Sequence, residues 1–294
     1  MNILELIEAG AQQLAHAGVA FGHGTDNAFD EAAWLVLWRL RLPLGTPLHG
    51  PESVGQQAVT PEQQEKVAAL FSQRISSRQP AAYLTREAWL QGVPFYVDER
   101  AIVPRSFIAE LLTGGDIDPW LSPSSQRVLD LCTGNGSLAV LAAMVYPDVS
   151  VDAADISTEA LAVARINVAK HALEQRIRLI TSDGLAALDG PYDLILCNPP
   201  YVNAQSMSAL PPEYRAEPAL ALAGGRDGMD FIRGLLRDAP AHMSENGVLV
   251  LEIGNEREHF EAAFPQLEAV WLETSAGADQ VLLLTREALA TGLV

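Results

Sequence analysis

The chain has 294 residues, 49% of them hydrophobic, with 37 acids against 19 bases and a formal charge of −18. That length suits two domains and a sizeable core, and the charge argues against gripping a phosphate backbone, which needs clustered Lys and Arg. Lysine occurs only at Lys66 and Lys170, so a basic protein is the expected partner, with no direct nucleic-acid binding.

The first residues, Met1-Asn2-Ile3-Leu4-Glu5, carry neither a basic nor an apolar leader region, so no secretory signal is expected. Residues 3–17 repeat Ile3, Ile7, Ala11 and Leu14 with helical spacing. Asn27 with Asp30 marks a second helix start, and Leu35, Trp38 and Leu42 share one side of it. Residues 43–61 are a loop rich in Gly and Pro. Thr60-Pro61-Glu62-Gln63 then reads as N-cap, first-turn proline and capping-box Gln. The resulting helix carries Val67, Leu70, Phe71 and Ile75 and ends near Arg78. Residues 1–86 therefore form a helical domain, a structural cap or a substrate-recognition unit. Residues 87–105 follow as a linker, with a β-hairpin around Gly92-Val93-Pro94.

Residues 106–294 alternate strand and helix, as a doubly wound parallel sheet does. The buried-strand run Arg127 to Cys132 leads into Thr133-Gly134-Asn135-Gly136 and a helix, the context in which a glycine loop binds ligands. The spacing is not that of a pyrophosphate cradle, and Asp130 suits an ammonium group. The next strand ends at Asp155-Ile156, 25 residues on, where a ribose-binding acid belongs. A third strand, 177–181, ends at Ser182-Asp183-Gly184, where a carboxyl group can accept from an adenine amino group. An amino-acid end, a ribose and an adenine together describe S-adenosylmethionine.

A fourth apolar run, residues 192–197, stops at Asn198-Pro199-Pro200-Tyr201. Asn198 offers both a donor and an acceptor, and Tyr201 offers a ring face. The prolines stiffen the turn and leave carbonyls free to accept. This is a site for a planar group bearing an NH₂, either a carboxamide or the amino edge of a base. Residues 201–228 lack periodicity and suit a flap over the substrate. Strands at 248–253, 270–272 and 281–284 complete the sheet, the last two as an antiparallel edge pair. No apolar run reaches the roughly 18 residues of a membrane span. The six histidines show no ligand spacing, so no metal is expected. Cys132 and Cys197 are too few for a disulfide scaffold and fit a reducing cytoplasm.

These motifs resemble the protein-glutamine branch of class I S-adenosylmethionine-dependent methyltransferases, over nearly the whole chain. Asn198-Pro199-Pro200-Tyr201 matches the branch signature, which adenine amino-methyltransferases share, and residues 217–228 match a segment typical of the glutamine branch. Tyr83-Leu84-Thr85, Ala88-Trp89, Phe95 to Arg100, Val103-Pro104-Arg105-Ser106 and Cys132 resemble the sub-branch acting on large-subunit ribosomal protein uL-three. Release-factor methyltransferases and adenine amino-methyltransferases are the alternatives.

The resemblance implies a seven-stranded, Rossmann-like α/β sheet beside the helical domain and linking hairpin. It implies Asn198, Pro199, Pro200 and Tyr201 as the catalytic turn, and Arg105, Tyr201 and Glu217 toward substrate. Asp130, Cys132, Thr133, Gly134, Asn135, Gly136, Asp155, Ile156, Ser182, Asp183, Gly184 and Asn198 are expected around the cofactor. Gly184 departs from relatives that carry a Trp or Leu against the adenine.

Overall fold

Capping chemistry sets the helix ends at the beginning of the chain. In this computed structural model, which describes residues 1–292, α1 (Ile3–His16) starts at an Asn2–Glu5 capping box. Helix α2 (Ala28–Leu40) starts where Asn27 accepts from the Asp30 amide, and α3 (Pro61–Ser77) where Thr60 and Gln63 cap reciprocally. A short α4 (Ala81–Thr85), which periodicity did not reveal, follows Pro80. Phe71 lies so close to Gly10 that an added Cβ would come within 2.1 Å of its ring. Glycine is what lets α1 and α3 pack at that distance.

These helices belong to a unit comprising Met1–Ala88 and Leu210–Glu217. The boundaries drawn from sequence put residues 210–217 with the methyltransferase domain, so this excursion corrects them. Its cause is a buried ionic cluster. The fully buried Arg74 meets Glu31 at 2.9 Å, Glu213 at 3.4 Å and the Ala20 carbonyl at 3.1 Å, while Arg78 reaches Glu213 at 3.0 Å. Tyr214 stacks on His23 with ring centroids 4.2 Å apart.

The second unit comprises Trp89–Ala209 and the chain from Pro218 onward. The hairpin β1 (Ala88–Leu90) and β2 (Val93–Phe95) turns through Gln91 and Gly92, both at positive φ, as a two-residue turn requires. It is shorter than the alternation suggested, because residues 96–103 are irregular. Helix α5 (Ile108–Gly114) follows.

A seven-stranded sheet forms the centre, from β3 (Arg127–Leu131), β4 (Ser150–Asp155), β5 (Ile177–Thr181), β6 (Tyr192–Cys197), β7 (Met243–Glu252), β8 (Val270–Thr274) and β9 (Gly277–Thr285). Their order is β5-β4-β3-β6-β7-β9-β8; β3 to β7 run parallel, and β9 is antiparallel to both neighbours. Helices α6 (Ser137–Val145), α7 (Thr158–Lys170), α8 (Ala204–Ala209), α9 (Asp230–Asp238), α10 (Arg257–Ala263) and α11 (Arg286–Gly292) complete the unit. Strand alternation feeds two apolar layers. Val128, Leu196 and Val250 enter one, and Leu129, Ile195 and Leu249 enter the other. Strand order reverses between β3 and β6, and open α/β sheets bind ligands at the carboxyl ends beside such a reversal. Among the described residues, no helix is long and apolar enough to cross a membrane.

Candidate active site

Strand register brings the functional side chains to one level. Leu131 pairs with Ala154 and with Cys197, and Cys197 pairs with Leu251. The next residues along these strands are Cys132, Asp155, Asn198 and Glu252, all at the carboxyl edge.

The glycine loop runs from β3 into α6 with Cys132, Gly134 and Gly136 at positive φ. Gly136 takes the positive φ that favours glycine, and a Cβ there would press on α7, 3.1 Å from the Ala164 Cβ. Asp130 is buried beneath the loop. Its Oδ2 accepts from the Thr133 hydroxyl at 2.5 Å and the Ala139 amide at 2.9 Å, whereas Oδ1 has no hydrogen-bond partner. Burial pushes this carboxyl up to about 7. Asn135 caps the Ser137 amide through Oδ1, and its buried Nδ2 is also unpartnered. Asp155 accepts from the Gly134 and Ser157 amides, each at 2.9 Å, and burial raises its pKa. It therefore holds the loop as well as facing the cleft.

At the end of β5, the Ser182 hydroxyl donates to the Gly184 carbonyl at 2.7 Å and accepts from the Ala187 amide. Ser182 thus shapes the turn, while Asp183 is exposed. Gly184 takes a positive φ with open space around its Cβ position.

After β6, Asn198 is half-buried and Pro199 is buried. Tyr201 is enclosed by glycines. A Cβ on Gly254 would come within 2.6 Å of its ring, and Cβ atoms on Gly224 or Gly228 would strike its backbone. The Val202 amide donates to the Leu222 carbonyl at 2.8 Å, and the Gly224 amide donates back to Val202 at 2.9 Å. Gly224 and Gly228 are therefore explained by close approach to the Asn-Pro-Pro-Tyr turn, whereas Gly225 between them packs against Asp230.

These edges surround a cleft of about 220 Å³ lined by Cys132, Gly134, Asp155, Ile156, Ser182, Asp183, Gly184, Asn198 and Pro200. Asp130, Thr133, Asn135, Gly136, Pro199 and Tyr201 lie outside that lining. The Arg105 guanidinium donates to the Val103 carbonyl at 3.1 Å and is also outside it. Glu217 is buried in the helical unit, 3.4 Å from the His23 ring nitrogen.

Residues 118–210 match the family model of the methyltransferase small domain. The chain is 53% identical to the ribosomal protein uL3 glutamine methyltransferase of Bordetella pertussis, over 99% of this chain and 97% of that one. It is 50% identical to that of Burkholderia pseudomallei, over 96% of this chain and 94% of the relative. The chain belongs to the ribosomal protein uL3 glutamine methyltransferase family. The crystal structure of the hMettl16 catalytic domain shares the fold, with a TM-score of 0.53 at 12% identity, covering 77% of this chain and 81% of that one.

Some cleft residues of this methyltransferase carried no signal in strand-end reasoning. Arg100, Ala101 and Ile102 line one side, and Pro218, Leu220, Ala221 and Phe231 line another. Most fall inside or beside segments that carry the family resemblance, which was their available mark. Glu252 was missed altogether. It is 1% exposed, and burial pushes its carboxyl up to about 7. An acid closing the apolar run Val248 to Leu251 was the same cue that singled out Asp130 and Asp155.

Proposed function

We propose that this chain transfers a methyl group from S-adenosylmethionine to the side-chain amide nitrogen of a glutamine in ribosomal protein uL3. The observation that carries the reading is full-length identity near one half with relatives of that name, joined to Asn198 on the cleft wall. The unpartnered Asp130 Oδ1 fits the ammonium end of the cofactor. Asp155 fits the ribose hydroxyls, and Ile156 with the Ser182-Asp183-Gly184 turn fits the adenine. When bound, the cofactor supplies an electrophilic methyl carbon.

The residues have to present a poor nucleophile, because an amide lone pair is delocalised into its carbonyl. Asn198 Oδ1 and the Pro199 carbonyl each accept one hydrogen of the substrate NH₂, leaving the remaining lobe of nitrogen toward the methyl carbon. These fixed dipoles stabilise the positive charge that develops on nitrogen, and orientation supplies much of the rate. Tyr201 packs against the amide plane. No prior deprotonation is needed, since an N-protonated amide sheds its proton readily.

The Asp130 assignment predicts a pH dependence. Only the ionised carboxylate attracts an ammonium, and the buried acid titrates near 7 before the cofactor binds. Affinity therefore rises with pH, by up to about tenfold per pH unit below that value. Calorimetry at about pH 6.5 in two buffers of different ionisation enthalpy should register proton release, and Asp130→Asn should abolish it. A flat profile without proton release rules the assignment out.

The substrate is tested by labelled methyl transfer to purified uL3, release factor and an adenine-containing duplex at matched concentrations. Methylation of uL3 is expected to dominate. It should weaken with added salt, because exposed charges are screened over about 10 Å at 0.1 M. Preference for the release factor would move the chain to the other sub-branch, and methylation of the duplex alone would overturn the protein-substrate reading.

A further inference from the structure

The buried carboxylate of Glu252 is the strongest polar group at the site without a role so far. It closes β7 one residue beyond the aligned strand ends, and its two oxygens face different elements. Oε2 accepts from the Ser106 hydroxyl at 2.6 Å and the Phe107 amide at 2.9 Å. Oε1 accepts from the Tyr201 hydroxyl at 3.4 Å. Ser106 in turn accepts from the Ile108 amide at 3.2 Å, so the same contact fixes the start of α5. Two turns that the family resemblance singled out, Val103 to Ser106 and Asn198 to Tyr201, thus meet on one side chain.

The surroundings make that contact selective. The Tyr201 ring lies against Gly254, two residues beyond Glu252, at a distance that tolerates no Cβ. Gly224 and Gly228 press on the Tyr201 backbone from another side. The ring is thus confined by shape, and the carboxylate acts on its hydroxyl end. A buried acid is costly to keep, and burial already pushes this one up to about 7. A neutral residue would fill the space at lower cost if filling space were its whole task.

We propose that Glu252 is a positioning residue for methyl transfer: by accepting from the Tyr201 hydroxyl it sets where the hydroxyl end of the ring lies beside the Asn198–Tyr201 turn. The catalytic consequence rests on the proposed function, whereas the contact itself does not.

Glu252→Gln separates the two halves of the carboxylate. The amide oxygen goes to the Ser106–Phe107 side, where two donors compete for it, and the NH₂ then faces Tyr201, whose hydroxyl must turn to accept a neutral hydrogen bond in place of the charge-assisted one it donated to Glu252. The expected result is a kcat about tenfold lower with unchanged cofactor affinity, unchanged KM for the protein substrate and a near-native melting temperature. In a Tyr201→Phe background, which lacks the hydroxyl, the same substitution should change kcat by less than about twofold. An equal loss in both backgrounds, or no loss in either, overturns the proposal.

An activity-independent arm uses ¹⁹F spectra of the fluorotyrosine-labelled full chain. The Tyr201 resonance, assigned by its disappearance in Tyr201→Phe, should move in Glu252→Gln. An unmoved resonance overturns the contact. A moved resonance in an enzyme that ignores uL3 supports the contact and sinks only the substrate reading.

Discussion

Replacing Asn198 with alanine is expected to lower turnover by roughly two to four orders of magnitude, the scale for losing a group that stabilises transition-state charge. Cofactor affinity should stay within a few fold. The two outcomes separate because Asn198 follows β6, while the residues proposed for the ammonium and ribose, Asp130 and Asp155, lie on β3 and β4. The turn should survive the substitution, since Pro199 is buried and the backbone of Tyr201 is gripped by Gly224 and Gly228. Equilibrium binding and single-turnover methyl transfer, measured on the same preparation, decide the matter. A variant that binds cofactor and retains most of its rate would make Asn198 a structural turn residue. Asn198→Asp is the sharper companion. It keeps an acceptor of similar size but adds charge, so affinity for a neutral amide and cofactor affinity both report on local electrostatics.

The strand ends were legible because one rule covers them: an apolar run that stops at a polar residue marks the carboxyl edge of a parallel strand. Asp155 and Asn198 are found that way, and both line the cleft. Glu252 obeys the same rule but follows a strand whose sequence partner in the motif, Tyr201, lies 51 residues away. Only the fold brings them together. Asp130 was read as the end of its strand, but it lies one residue before the end of β3 and outside the cleft lining, its carboxylate turned to cap the loop and α6. Residues 210–217 illustrate a different limit. They have no helical or strand periodicity, and their affiliation is decided by Glu213 pairing with Arg74 and Arg78 from far upstream. Buried ion pairs between segments distant in sequence leave no local pattern. The same holds for α4, five residues that are too short for a period to register.

The second large effect concerns stability and falls on Arg74. Its guanidinium is fully buried, and Arg74→Ala leaves Glu31 buried with the Thr25 hydroxyl at 3.5 Å as a remaining hydrogen-bond partner. Glu213 keeps Arg78 at 3.0 Å, so the uncompensated charge is chiefly Glu31. Removing one partner of a buried pair costs about 3–5 kcal/mol, and urea denaturation of the full chain should show a loss of that size near neutral pH. Burial already raises the Glu31 pKa, with Arg74 opposing the rise. Without Arg74 the folded-state value climbs further above the unfolded one. A raised acid contributes stability at low pH that is lost as pH climbs through the folded value. The gap between wild type and Arg74→Ala should therefore narrow on going from about pH 8 to about pH 5, where Glu31 can protonate and shed its unpaired charge. Pairing Arg74→Met with Glu31→Leu should recover much of the loss, because a buried ion pair replaced by apolar groups of similar volume is often neutral. Losses that simply add in the double variant, or a gap of the same size at about pH 8 and about pH 5, would mean that Arg74 stabilises the helical unit by packing alone.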